Sequence, residues 1–245
     1  MAEKPVLLLV HGFPLDSRMW QRQVDGLSSD LRVIAPDLDG HGSSPAGSPA
    51  HTVDAMASAV DARLDSAGIG QVHLGGFSMG GYVALAFMRL FPDRVLSLSL
   101  IDTRANADNE AGREGRDAMA AKIREQGPSV AAQAMLPKMF TGAVDDGVRR
   151  EVEEWMLAQP AEALVADLAA MRDRPDSTPV LADIRVPTLV LVGDQDAITP
   201  LDAAQVLADG VAGARLVVIT GAAHLAPIEQ ADQVNQALRD FLGSL

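Results

Sequence analysis

The five residues Gly76-Phe77-Ser78-Met79-Gly80 constrain this chain more than any others. Ahead of them Val72-His73-Leu74 reads as a short buried strand, and residues 82–91 read as an Ala- and Leu-rich helix. A serine between two glycines at a strand-to-helix turn is the G-x-S-x-G pattern of a nucleophile elbow. Such a turn is tight enough to strain the backbone at Ser78. Gly76 and Gly80 must then lack side chains, because strand and helix pass too close for a Cβ. The geometry lifts Ser78 Oγ above the sheet and aims the helix N-terminus at it. The unpaired N–H groups and partial positive charge there suit a developing oxyanion. Taken alone, the motif also fits a plain glycine turn, so the remaining chain has to decide.

With 245 residues, 48% of them hydrophobic and 22% charged, the chain has the makings of one globular domain with room for an insertion. No apolar run approaches the ~20 residues that span a bilayer. Met1-Ala2-Glu3-Lys4-Pro5 leads straight into a strand with no basic n-region or cleavage site. Without cysteine, thiol catalysis, disulfides and Cys-metal sites are excluded. A cytoplasmic enzyme is the expectation. A net charge of −13 disfavours nucleic acid and anionic membrane as partners, and weakly disfavours strongly anionic substrates unless local arginines intervene. The histidines show no metal-ligand spacing, and no cofactor is expected.

Residues 5–10 (PVLLLV) are a continuous apolar run, as in a strand buried on both faces of a parallel sheet. Further strands are predicted at 32–35, 94–101, 187–192 and 215–219. Thr52 caps a helix to about residue 67, with Val53, Met56, Val60 and Leu64 on one stripe. Helices are also predicted near 201–208 and from about 227 to 242. Residues 103–183 have a different texture. Strand-like runs vanish, and Val148, Val152, Trp155 and Met156, then Leu164, Leu168 and Met171, recur at helical spacing. About 80 residues is too long for an ordinary connection. The alternation predicts a doubly wound α/β core over 1–102 and 184–245, with three or four cap helices over 103–183.

Ligands of open α/β sheets bind at the carboxyl ends of the strands. His11-Gly12, Ser78, Asp102, Asp196 and His224 all fall at such ends, in the order Ser…Asp…His. With His11-Gly12-Phe13, Asp37…Gly40-His41-Gly42-Ser43, the elbow, Gly193-Asp194-Gln195-Asp196 and Gly221-Ala222-Ala223-His224, the sequence resembles the α/β-hydrolase-fold serine hydrolases, in particular small capped carboxylesterases and enol-lactonases.

The resemblance implies Ser78 as nucleophile, His224 as general base and then acid, and Asp196 as the carboxylate orienting the imidazole. The backbone N–H groups of Phe13 and Met79 would form the oxyanion hole. A hydroxyl needs a base to remove its proton as it attacks, and an imidazole titrates near the working pH. Asp194 and Asp102 remain alternatives for the acid, with turn-capping their plainer role. His11 and His41 read as loop braces, and His51 and His73 as ordinary positions. Met119, Met135, Met139, Met156, Met171, Phe140 and Trp155 are core residues of the cap or the roof of an apolar pocket, with Met139, Phe140 and Trp155 favoured for the pocket.

The implied activity is hydrolysis of small, largely neutral carboxylic esters. A lactonase of the 3-oxoadipate enol-lactonase type would need a convergent arginine such as Arg104. A metal-free haloperoxidase or perhydrolase, and a ligand receptor that retains the triad, are the other readings. Family members usually carry a β-hairpin before the His-Gly strand. Only five residues precede that strand here, which predicts six parallel strands with 32–35 at an exposed edge. A homodimer through that edge is then expected. Asp39 stands where an Arg is common.

Overall fold

The computed structural model of the chain describes residues 4–45 and 51–245. Six strands, β1 (Val6–Val10), β2 (Arg32–Ile34), β3 (Val72–Phe77), β4 (Val95–Ile101), β5 (Thr188–Gly193) and β6 (Arg215–Ile219), form one sheet. Their order is β2-β1-β3-β4-β5-β6, and every neighbouring pair is parallel. The sheet is the expected six-stranded one, with β2 at an edge.

Strand side chains alternate between faces, and apolar runs arise because helices cover both. Leu8, Val10, Leu74, Leu98, Val190 and Val192 join one apolar cluster, with α2 (Val53–Ser66), α3 (Met79–Leu90) and α8 (Leu201–Gly210). Leu7, Leu9, Phe77, Ile101, Leu189 and Leu191 join the other, with α1 (Gln21–Leu27) and α10 (Ala231–Leu242). Thr52 caps α2, its Oγ1 accepting from the Ala55 N–H at 3.1 Å, and the predicted stripe is buried.

Some boundaries differ from the sequence reading. β3 runs through Gly75 and Gly76 to Phe77, and α3 starts directly after Ser78. The sequence reading passed over α1 and the 3-10 turn Ser17–Trp20, because their apolar pattern is too short to show a period. The single terminal helix is instead two, α9 (Ala226–Glu229) and α10. They break at Gln230 (φ −129°, ψ 51°), whose side-chain amide donates to the Gly221 carbonyl at 3.0 Å.

Between β4 and β5 lie α4 (Glu110–Gln126), α5 (Ser129–Met139), α6 (Asp146–Leu157), α7 (Ala161–Asp173) and a 3-10 segment, Thr178–Asp183. This insertion is fastened to the sheet loops through Asp167, fully buried on α7. His51 Nε2 lies 2.7 Å from its Oδ1, and His41 Nε2 lies 2.9 Å from its Oδ2 without the alignment of a full hydrogen bond. Among the described residues no helix is long and apolar enough to cross a membrane.

Candidate active site

Ser78 occupies the turn between β3 and α3 with φ 51° and ψ −114°, a conformation rare for a residue with a side chain. Its N–H donates to Ile101 O at 3.0 Å, and its carbonyl accepts from Thr103 Oγ1 at 2.7 Å. The flanking glycines are sterically required. A Cβ on Gly76 would sit 2.2 Å from Gly80 O, and one on Gly80 would sit 2.2 Å from Val10 O.

His224 follows β6 on the loop into α9. Its Nε2 lies 3.0 Å from Ser78 Oγ, and its Nδ1 lies 2.8 Å from Asp196 Oδ2. The carboxylate accepts the Nδ1 proton, leaving Nε2 to accept from the serine hydroxyl. The imidazole is wholly buried and leans on the Phe77 ring, 4.9 Å between centroids. A hydroxyl so placed can give up its proton as it attacks an electrophile.

Asp196 is locked by its own turn. Oδ1 accepts the Ile198 and Thr199 N–H groups at 2.7 and 3.0 Å, and Oδ2 accepts Thr199 Oγ1 at 2.6 Å. Burial alone would raise its pKa, but the bonds from His224 and Thr199 win and hold the carboxyl below its ordinary value. The other two aspartates make no hydrogen bond to His224 among the described residues. Asp194 Oδ1 accepts the Gly221 and Ala222 N–H groups at 3.0 and 3.3 Å and so braces the loop. Asp102, fully buried at φ 43°, accepts Gly193 N–H at 2.8 Å, and its Oδ2 has no hydrogen-bond partner among protein donors.

Sequence reasoning missed Thr199 and Glu229. The Asp-x-x-Thr spacing before Pro200 is a local capping pattern that could have found the first. Glu229 has no comparable signal. Its Oε2 accepts Ala223 N–H at 2.9 Å while Oε1 accepts from the Thr141 backbone N–H and hydroxyl, which joins the His224 loop to the end of α5.

A cavity of about 280 Å³ opens on Ser78, lined by Phe13, Tyr82, Arg104, Arg116, Met119 and Met135 among others. The backbone N–H groups of Phe13 and Met79 find no acceptor among the described residues. Met119, Met135 and Met171 line the cavity; the favoured Met139, Phe140 and Trp155 do not. Those three pack into the apolar cluster under the insertion with Leu225 and Ile228, because the ends of α5 and α6 turn toward the core. Arg104, singled out as a convergent arginine, is in the wall.

His11 does brace a loop. Its Nε2 accepts Leu38 N–H at 2.9 Å, and burial, aided by the charge on His41, lowers its pKa to about 4. His51, read as ordinary, is a partner of Asp167. His73 meets Ser97 Oγ at 2.9 Å, and Asp39 meets Arg63 Nη2 at 2.7 Å.

The fold aligns with an esterase from Thermogutta terrifontis solved with malate bound, at TM-score 0.95 and 40% identity over 98% of this chain and 90% of that one. It aligns with an enol-lactonase from Burkholderia xenovorans LB400 at TM-score 0.92 and 29% identity, over 99% and 92% of the two chains. The chain is 34% identical, over 96% of its length, to the dihydrolipoyllysine-residue acetyltransferase component of an acetoin cleaving system from Pseudomonas putida. It spans 63% of that protein and 48% of another curated relative. Residues 5–231 match the alpha/beta hydrolase fold family, and the chain belongs to it.

Proposed function

We propose that this protein hydrolyses carboxylic esters through an acyl-Ser78 intermediate. The observation that carries this is the continuous path from Ser78 Oγ to His224 Nε2 at 3.0 Å and from His224 Nδ1 to Asp196 at 2.8 Å, at the carboxyl ends of β3, β5 and β6. Ser78 Oγ attacks the ester carbonyl and its proton passes to His224. The imidazolium, steadied by Asp196, then gives that proton to the departing alkoxide. Water repeats the cycle on the acyl-enzyme and frees the acid. The Phe13 and Met79 N–H groups stabilise the tetrahedral oxyanion, and each such donor is worth roughly 10²–10³ in rate. Kinship with an esterase and an enol-lactonase supports acyl transfer to water as the reaction.

Ser78→Ala should lower kcat on the best of a 4-nitrophenyl ester series by roughly 10⁴–10⁶, with KM far less affected. A fluorophosphonate should add covalently to the wild type and not to the variant. Full activity in Ser78→Ala removes the proposal.

A further inference from the structure

Acidic residues outnumber basic ones by 33 to 20 in this chain, so an acid-free cavity wall is not what composition provides. Among the described residues, the wall beside Ser78 nevertheless carries two guanidiniums, Arg104 and Arg116, and no carboxylate. Both reach the buried Asp108, which sits in a cluster of three arginines. Oδ1 accepts from Arg104 Nη2 at 2.5 Å and Arg174 Nη2 at 2.9 Å, and Oδ2 from Arg116 Nε at 2.6 Å. Among the described residues, one carboxylate thus faces three guanidiniums, an excess of two positive charges in the cluster. Burial would raise Asp108, but bonds from Arg174 and Arg116 bring it down to about 2, so it stays ionised.

The three arginines are not equivalent. Arg174 is occupied as a strut, donating to the Met171 and Asn106 carbonyls at 2.5 and 2.8 Å and lying over the Tyr82 ring. The Nε atoms of Arg104 and Arg174 are both buried without an acceptor, while Arg104 commits only its Nη2 and Arg116 only its Nε among the described residues. Their remaining N–H groups are suited to the two oxygens of a carboxylate. Helix α4 turns Gly112, Gly115, Arg116 and Met119 to the cavity, at the spacing of one helical face. Gly115, where a Cβ would meet nothing within 4 Å, leaves room beside the guanidinium.

Resting on the ester-hydrolase reading above, we propose that the cavity selects esters or lactones carrying a free carboxylate, which Arg104 and Arg116 bind. The local charge thereby reverses the preference for neutral substrates that the charge of the whole chain suggests.

The test compares kcat/KM by proton release at constant pH for charged esters and neutral counterparts of similar shape. Monomethyl glutarate against methyl hexanoate puts the carboxylate on the acyl half. O-acetyl-lactate against sec-butyl acetate puts it on the leaving half. Wild type should favour the charged member of at least one pair by roughly 10- to 100-fold. The ratio should fall toward one in Arg104→Gln/Arg116→Gln, mainly through KM, and should shrink with added salt. If that variant does not fold, glutarate should still inhibit wild-type hydrolysis of methyl hexanoate competitively, and 1,5-pentanediol should not. Equal rates within both pairs, a preference surviving in the double variant, or no inhibition by glutarate overturns the proposal. Loss of the ester-hydrolase reading would look different, since wild type would then cleave no member of either pair or Ser78→Ala would cleave them as fast.

Discussion

Asp102 and Asp196 are both shut away from water, one closing β4 and the other just past β5, yet their surroundings drive them in opposite directions. Burial, and next the negative charge of Asp196, push Asp102 well above the ordinary carboxyl range, and a single N–H opposes them. Asp196 has an imidazole, a hydroxyl and two N–H groups turned toward it, enough to keep it ionised in spite of burial. Like charges at close quarters cannot both be carried cheaply, so Asp102 takes the proton. An amide is then a near-isostere of Asp102, and asparagine tolerates its positive φ. Asp102→Asn should hydrolyse esters close to the wild-type rate, whereas Asp196→Asn should lose on the order of 10⁴ in kcat by presenting the wrong tautomer of His224. Comparable losses in the two variants would mean that the acid has been misassigned. The chain order Ser…Asp…His was legible in the sequence but left three aspartates in contention. Hydrogen bonds across loops, such as those from Asp194 to Gly221 and Ala222, separate them, and no spacing rule encodes those.

At the level of elements, legibility followed locality. The elbow was readable because its constraint is contained in five residues and enforced by backbone contact, as the 2.2 Å approaches at Gly76 and Gly80 make plain. Continuous apolar runs along β1 and β5, buried on both faces, gave the sheet for the same reason. The cavity wall was only partly readable. Met119, Met135 and Met171 were among the candidates, but which methionines face Ser78 depends on how α4, α5 and α7 lie against one another, a matter of contacts between distant residues. Helix α4 offers a direct check. A Cβ at Gly115 would meet nothing within 4 Å, so a side chain there grows into open space. Gly115→Ala should stabilise the fold by about 0.5–1 kcal/mol, readable in thermal melts, because it removes a glycine from a helix interior. Gly115→Leu should depress hydrolysis of long acyl esters while sparing the acetate. An unchanged chain-length profile would place the acyl chain elsewhere.

Across the whole molecule, the insertion meets the core at a titratable contact that the sequence did not disclose, because Asp167 sits on the apolar stripe of α7. Burial lowers the pKa of His41, but the facing carboxylate of Asp167, 2.9 Å away, outweighs it, and the net shift is upward. The stabilisation that follows is complete below the unfolded value of about 6.5 and is lost as pH rises through the folded one. Asp167, net lowered despite burial, adds stability above about pH 3.9 that is lost as pH falls through its folded value. Buried His11 stays neutral down to about 4 and works against the fold on acidification, so melts of the wild type alone would blur the two effects. The melting temperature of wild type minus that of Asp167→Asn isolates the contact. That difference should be larger near about pH 5.5 than near about pH 9, and a difference independent of pH would count against the ion pair.

The other junction between insertion and core has a mechanical corollary. Leu225 N–H donates to Met139 O at 2.8 Å, and Glu229 holds both Ala223 and Thr141, so the end of α5 and the loop of His224 travel together. Lifting of the insertion at that end is expected to draw the His224 imidazole away from Ser78 Oγ. Substrate entry is expected instead beside α4, whose Gly112, Gly115, Arg116 and Met119 border the cavity.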